Sequence, residues 1–401
     1  MRIGFDISQT GKQKAGCGYF ADGLIGHLAE IDSQNDYILY PTFGDSFWDP
    51  DWASGTCRIP QPNFHNGLGH KTFEAAKFFW SHPPENFEAQ LGNPDILHAN
   101  NFFCPRGLRK ARLVYTLYDL SFLVHPEWTT EQNRTTCFQG VFDASLHADL
   151  IISISEYSRD HFLGVFPHYP AERIRVVYPA SRFSGTEAGS RPENLSSLGK
   201  DRFWLNVGVL EPRKNHRGLL RAYARFSRKQ REECPLVLAG GGGWLMDDFQ
   251  KDLEALDLTR DVIMIGYTDD MSLRWLYQNC LAFVYPSLFE GFGMPVLEAM
   301  SLGAPVVTSK VSSIPEIVGQ AGILIDAGEA DTIYQGMSQL AADEGLREAL
   351  KQKAKQRASS FSWKASASRV LDLYREIILR GKNFSGQHES SLRHSPGGPS
   401  C

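Results

Sequence analysis

Short apolar runs recur along this chain with amphipathic helical stretches between them, and that alternation restricts the fold more than any other feature. In the first half the runs are Ile3–Ile7, Tyr37–Tyr40, Ile96–Leu97, Leu113–Leu117, Leu150–Ile154 and Ile174–Tyr178. In the second half they are Phe203–Val207, Leu236–Ala239, Val262–Ile265, Ala282–Tyr285, Pro305–Thr308 and Gly322–Ile325. A strand apolar at nearly every position is covered on both faces, and strands joined through helices run parallel. Two such series predict an α/β protein of two Rossmann-like domains. With 401 residues the chain has room for both.

The break is placed where periodicity fails. Residues 180–200 are rich in Ser, Gly, Glu and Pro, and the sheet pattern restarts at Arg202-Phe-Trp-Leu-Asn-Val-Gly208. The expected organisation is an N-terminal domain over 1–182, a linker over 183–200 and a C-terminal domain over 201–362. A last helix follows over 363–380. The tail 383–401 is rich in Ser, Gly, His and Pro and reads as disordered.

Several function classes fall away on bulk properties. A net charge of -5 gives no reason to expect nucleic acid. The seven cysteines are odd in number and lack C-x-x-C spacing, which suits reduced thiols in a cytoplasm and neither a disulfide frame nor a zinc site. Met1-Arg2 leads directly into a strand, so no leader is expected. No apolar run approaches the ~20 residues that span a bilayer, which leaves only peripheral membrane contact open. The stretch Phe73, Phe78, Phe79 and Trp80, with Lys71 and Lys77 beside it, reads either as core packing or as a face on lipid headgroups.

The chemistry concentrates in Glu290-Gly-Phe-Gly-Met-Pro-Val-Leu-Glu298. Gly291 and Gly293 break any continuous helix, Pro295 suits a first helical turn, and Gly303 suits the position just past a helix end. Glu290 therefore belongs to a loop and Glu298 to a short helix, both facing the helix start. Backbone N–H groups there favour an anion. Two carboxylates beside a phosphate-sized site suit a sugar nucleotide, since each can accept from a pair of hydroxyls.

This pattern resembles the C-terminal signature of the retaining glycosyltransferases of family 4, whose architecture, two Rossmann-like domains facing a central cleft, is called GT-B. The resemblance runs from about Met1 to about Ile378 and is nearest to bacterial mannosyltransferase-like members that build surface polysaccharide. It implies a donor site in the C-terminal domain and an acceptor site in the N-terminal one, with the last helix crossing back. Glu298 is then expected to hold the ribose hydroxyls, and Glu290 the sugar hydroxyls. Gly291, Phe292, Gly293, Met294 and Pro295 form the loop and helix start around them.

Arg213 and Lys214 lie in Glu211-Pro-Arg-Lys-Asn215, after a strand and before a helix. A fork of donors and a compact charge at a strand end suit a diphosphate. By the resemblance they neutralise the leaving nucleoside diphosphate without a metal. Asp49-Pro-Asp51 lies far from either signature and is not read as a metal site. Gly208, Gly240, Gly266 and Tyr267 end strands that the family places near the nucleotide. Gly16-Cys17-Gly18 precedes the helical run Tyr19–Glu30 and corresponds to the family's glycine-rich loop facing the diphosphate or acceptor.

Tyr118-Asp119 ends a strand where relatives commonly carry His-Asp. Tyr118 keeps a hydrogen-bonding tip but does not titrate near neutral pH. It reads equally as packing or as a neighbour of the donor sugar, and Asp119 equally as a turn cap or a cleft residue. Ser155 reads first as a helix N-cap, and the resemblance places it at the cleft border.

The expected activity is metal-independent retaining transfer of a hexose, best matched by mannose from GDP-mannose, to a saccharide or lipid-linked acceptor. The expected place is the cytoplasm, including the inner face of the plasma membrane, and no cofactor is expected beyond the donor itself. A UDP-sugar donor and a sugar-nucleotide epimerase of similar fold are the alternatives.

Overall fold

The computed structural model describes residues 1–11, 14–44, 59–183, 185, 187–196, 198–242 and 249–384. The Asp49-Pro-Asp51 segment and the tail 385–401 lie outside them, as do Gly243 and Trp244 of the glycine run.

Two parallel sheets form the frame. The first holds β1 (Arg2–Asp6), β2 (Asp36–Tyr40), β3 (Phe64–Asn66), β4 (Ile96–Ala99), β5 (Arg112–Leu117), β6 (Leu150–Ser153) and β7 (Ile174–Val176). Its strand order is β3-β2-β1-β4-β5-β6-β7. The second holds β8 (Trp204–Val207), β9 (Leu236–Ala239), β10 (Val262–Gly266), β11 (Ala282–Tyr285), β12 (Val306–Ser309) and β13 (Ile323–Ile325), ordered β10-β9-β8-β11-β12-β13. Central strands are buried along their whole length, as the continuous apolar runs require. Strand β3 has no counterpart among the apolar runs. It is a three-residue edge strand in which only Phe64 is buried, so it leaves no pattern to read.

Strand order reverses between β1 and β4 in the first sheet and between β8 and β11 in the second. Loops leaving the carboxyl ends of such a pair diverge to opposite faces and open a crevice between them. Both switch points carry the polar residues described below.

The segment between the sheets is less loose than its composition suggests. Phe183, Leu195 and Leu198 are buried, and Ser181 Oγ lies 2.8 Å from Ser301 Oγ. Sparse apolar residues without a period still pack when the two sheets flank them. The last helix, Trp363–Phe384, lies against helix Gly16–Ile31 of the first sheet's layer. The Trp363 ring sits 5.8 Å from Phe20, and a side chain at Gly23 would meet that ring at 2.6 Å.

Deeper along the same helix, the Tyr374 hydroxyl lies 2.5 Å from His98 Nδ1. His98 Nε2 lies 2.9 Å from Thr116 Oγ1, whose own proton goes to Asn100 Oδ1. Thr116 must therefore accept from Nε2–H, and Nδ1 accepts from Tyr374. Burial pulls the His98 imidazole down to about 3, so this chain of bonds is neutral. It ties the last helix to the carboxyl end of β4. Apolar packing is continuous from β1 through that helix to β8 and helix Met294–Ser301. In helix Phe73–Ser81, Trp80 is buried and donates to the Thr42 carbonyl, whereas Phe78 faces outward.

Candidate active site

Glu290 follows β11 and reaches back over the carboxyl end of β8. Its Oε1 accepts from Lys214 Nζ at 2.7 Å, Tyr285 OH at 2.8 Å and Ser287 Oγ at 2.6 Å. Its Oε2 accepts from Arg213 Nη1 at 2.8 Å. Glu211 closes the cluster, with Oε1 2.7 Å from Arg213 Nη2. The Lys214 ammonium also touches the Tyr285 hydroxyl. Glu211, Lys214 and Glu290 are all buried.

Burial pushes the Glu290 carboxyl up, but the charges of Arg213 and Lys214 outweigh it and hold the group at about 2. Burial and the adjacent guanidinium pull Lys214 below its ordinary value. A carboxylate offers about four acceptor positions. With two positions on each oxygen, the three donors crowd and saturate Oε1, whereas Oε2 with its one donor keeps a position open. The two cations are already balanced by two carboxylates, so they are preorganised rather than mobile.

The loop bearing Glu290 is fixed from behind. Ser312 Oγ accepts from the Glu290 amide, and Ser313 Oγ donates to the carbonyls of Glu290 and Phe292. Gly293 has φ +106°, a value an L side chain rarely adopts, and it starts helix Met294–Ser301 with Pro295 in the first turn. Glu298 lies buried on that helix. Its Oε1 is 2.9 Å from Arg182 Nε, and its Oε2 accepts from Tyr277 OH at 3.3 Å. Burial lifts its carboxyl to about 7, against the opposing influence of Arg182 and Tyr277.

The adjoining strand ends supply backbone rather than side chains. Gly208, Gly240 and Gly266 sit side by side after β8, after β9 and at the end of β10, linked by Gly208 N–H to the Ala239 carbonyl and Gly240 N–H to the Gly266 carbonyl. A Cβ at Gly240 would stand 2.0 Å from the Gly208 carbonyl oxygen, so only glycine fits. Tyr267 follows with 68% of its surface exposed beside this bare floor.

The first sheet contributes a facing wall. Gly16, Cys17 and Gly18 form the first turn of helix Gly16–Ile31, which starts three residues before the expected Tyr19. A Cβ at Gly18 would strike the Gln9 carbonyl at 2.0 Å, and this close approach lets the chain turn into the helix early. Asp119 Oδ1 accepts from the Ser121 amide, and a Cβ at Gly291 would stand 2.9 Å from Asp119 Cβ. Asp119 thus both caps its turn and meets the loop of Glu290. Ser158 Oγ bridges the two sides by donating to the carbonyls of Tyr118 and Gly291.

A model of the glycosyl transferases group 1 matches residues 190–357. The O-antigen chain mannosyltransferase B of Escherichia coli is 35% identical over 285 residues, covering 70% of this chain and 74% of that protein. The chain belongs to the group 1 glycosyl transferases. A serotype-specific mannosyltransferase of Escherichia coli, WbdA, is 29% identical over 391 residues, covering 91% of this chain but 46% of that protein. The chain thus spans about half the length of that larger relative. Solved structures share the fold. One of Anabaena HepE in complex with UDP and glucose gives a TM-score of 0.67 at 19% identity, over 94% of this chain and all of that one. One of WaaG gives 0.68 at 17%, over 93% and 99%. These neighbours are GT-B glycosyltransferases, the two-domain α/β architecture expected from the strand series.

In this group 1 transferase the structure gathers Glu290, Arg213 and Lys214 into one cluster, with Gly291 against Asp119. Glu290 has a role the sequence reading did not assign: it anchors both cations and keeps a single acceptor position. Tyr118 turns inward. Its hydroxyl donates to the Asn100 carbonyl at 2.7 Å and approaches the Cys17 carbonyl at 3.3 Å, so it positions the loops of the first sheet. Ser155 is fully buried and caps helix Glu156–Val165 by accepting from the Ser158 amide. Cys17 is half-buried, and burial pushes its thiol well up. Phe292 is buried against Tyr178 and Phe361.

Sequence reasoning missed Arg182, Glu211, Tyr277, Tyr285 and Ser287. Glu211 stood inside a quoted motif, and its spacing of two and three from the cations was a usable signal. The others lie outside the motifs and meet the site only through the fold. Among the described residues no group of three or more His, Cys, Asp or Glu is assembled for a metal. Among them, too, no helix is long and apolar enough to cross a membrane.

Proposed function

We propose that this glycosyltransferase moves a hexose, best matched by mannose from GDP-mannose, to a saccharide or lipid-linked acceptor in surface polysaccharide synthesis, with retention at the anomeric carbon. The observation that carries the reading is the preorganised pair Arg213 and Lys214, held by Glu290 at the β8/β11 switch point. The relatives named for mannosyl transfer support the sugar. In this reading Glu298 takes the ribose hydroxyls, and the glycine floor of β8, β9 and β10 lies under the nucleotide with Tyr267 beside the base.

The anomeric C–O bond to the diphosphate breaks as a bond to the acceptor oxygen forms on the same face. The acceptor proton passes to the departing phosphate oxygen. Arg213 and Lys214 stabilise the charge that develops there, work a divalent cation does in other transferases. Closure of the first sheet's loops over the donor excludes water and suppresses hydrolysis. The reaction would run in the cytoplasm, at the inner face of the membrane where the acceptor is lipid-linked.

The test is calorimetric binding of GDP and UDP in EDTA, followed by NMR assignment of the product anomer with the matching sugar nucleotide. GDP binding that weakens in Glu298→Ala, with a retained anomer, is the expected result. UDP binding alone would replace the donor, and an inverted anomer would replace the mechanism. Binding of neither nucleotide would sink the reading.

A further inference from the structure

We propose that Arg182 is the positioning residue for the ribose carboxylate: it orients Glu298 toward the donor, keeps it charged, and ties it to the N-terminal domain. The inference rests on the donor-site reading above and adds to it a residue from the connecting segment.

Arg182 lies between the two sheets, next to Ser181, whose hydroxyl is 2.8 Å from that of Ser301 at the end of the Glu298 helix. That contact fixes the Arg182 backbone beside the helix. The guanidinium then makes three approaches. Nε lies 2.9 Å from Glu298 Oε1, and Nη1 lies 3.1 Å from Asp270 Oδ1. Its centre stands 4.3 Å from the Tyr19 ring, one residue after the Gly16-Cys17-Gly18 turn. One side chain therefore touches the helix of Glu298, the start of helix Asp270–Asn279, and the helix of the facing domain.

The groups facing Glu298 are Arg182, Tyr277 and Asp270 at close range, with Tyr19 beyond them. Tyr277 donates a neutral hydrogen bond, and Asp270 opposes ionisation. Arg182 is the cation among them. A ribose diol donates two hydroxyl protons, so it needs a charged carboxylate with both oxygens accepting. Burial alone would leave the carboxyl protonated at neutral pH. Arg182 Nε sits 2.9 Å from Oε1 and Tyr277 donates to Oε2, which leaves one acceptor position on each oxygen for the two hydroxyls of the diol. The stack on Tyr19 adds a second consequence. When the facing domain moves away, Arg182 loses that platform, and Glu298 loses its orientation along with it.

The experiment is calorimetric titration of GDP and UDP into the full chain and into Arg182→Met, Arg182→Lys and Glu298→Gln, from about pH 6 to about pH 9. Wild-type affinity should weaken as pH falls through about 7, the value at which burial sets Glu298. In Arg182→Met that weakening should move to higher pH, and a move of about one unit would by itself lower affinity near pH 7.5 roughly threefold. Arg182→Lys should restore the midpoint and part of the affinity, because it keeps the charge without the fork. A uniform loss in Arg182→Met with the midpoint unmoved would reduce Arg182 to scaffolding and overturn the proposal. So would wild-type behaviour in Arg182→Met while Glu298→Gln is weakened. Unchanged binding in Glu298→Gln, or no binding of either nucleotide by the wild type, would remove the donor-site reading itself and this inference with it.

Discussion

Lys214 Nζ and Glu290 Oε1 lie 2.7 Å apart, joining the loop after β8 to the loop after β11. Both side chains are buried, and Arg213 adds a second cation on the other carboxylate oxygen at 2.8 Å. Removing Glu290 would leave the buried Lys214 and the half-buried Arg213 side by side, with Glu211 as the remaining counter-charge. Breaking a buried pair from one side costs about 3–5 kcal/mol. Glu290→Ala is accordingly expected to lower thermal stability measurably and to slow sugar transfer by at least ~10²-fold, as losing a preorganised charge stabiliser does. The Arg213/Lys214 double alanine should slow transfer as much and also lower stability, because it leaves Glu211 and Glu290 as two buried carboxylates without a counter-charge. Single-turnover rates on protein shown to be folded would decide it, and near-wild-type rates in either variant would contradict the role.

Gly291 is where the loop of Glu290 meets the N-terminal wall. A methyl group there would stand 2.6 Å from the Tyr118 carbonyl oxygen and 2.9 Å from Asp119 Cβ. The first of these is backbone and cannot swing aside. The Glu290 backbone is pinned on its other side by Ser312 and Ser313, so the loop cannot retreat without losing those bonds. Gly291→Ala should therefore cut transfer at least ~10-fold by displacing Glu290 from the cations, as a 1 Å misplacement does. Binding of the free nucleotide should change less. Transfer at the wild-type rate would mean that the two walls separate during turnover more than this structure implies.

The fold was legible because strands buried on both faces write themselves as apolar runs, and because no residue can hide in the middle of a parallel sheet. What escaped was local and short. Strand β3 buries one residue, and helix Gly16–Ile31 begins on glycines that propensity would place outside it. The cluster around Glu290 was half legible. Glu290, Arg213 and Lys214 sit in compact motifs, whereas Tyr285 and Ser287 look like the end of a strand and its exit. Arg182 was illegible for a different reason. It lies 116 residues from Glu298 in the chain, in a segment without periodicity, and only the packing of two sheets on that segment brings the pair together.

Asp6 should set a pH dependence of stability unrelated to turnover. Its carboxyl is buried at the end of β1, and burial raises it from 3.8 to about 7 despite hydrogen bonds from Ser8 and Asn100. Between those two values the native state holds a proton that the unfolded chain releases. The contribution is fully present below about pH 4 and is lost as pH rises through about 7. Asp6→Asn lacks this titration. The stability of the wild type relative to Asp6→Asn is therefore expected to fall between pH 5 and pH 7, by at most about 1.4 kcal/mol per pH unit. Urea melts of both proteins at several pH values would show it. Parallel curves would mean that Asp6 titrates normally in the folded protein.

Glu316 joins the two domains. Its carboxylate accepts from the backbone amides of Glu156 at 2.9 Å and Tyr157 at 3.2 Å, the first turn of a helix in the opposite domain. It also accepts from the Tyr178 hydroxyl at 3.0 Å. A carboxylate across the start of a helix satisfies donors that the helix itself leaves free, and its charge suits the dipole there. Ser155 caps the same turn from within but reaches only the Ser158 amide, so it cannot substitute. Glu316→Ala should cost about 1–3 kcal/mol of stability. It should also speed amide exchange at Glu156 and Tyr157 while leaving β8 and β11 protected. Because Ser158, in the same first turn, donates to the Gly291 carbonyl, the loosened helix should slow transfer too. Glu316→Gln keeps one acceptor oxygen and should fall between the two. Unchanged exchange at both amides in Glu316→Ala would show that another group caps this helix.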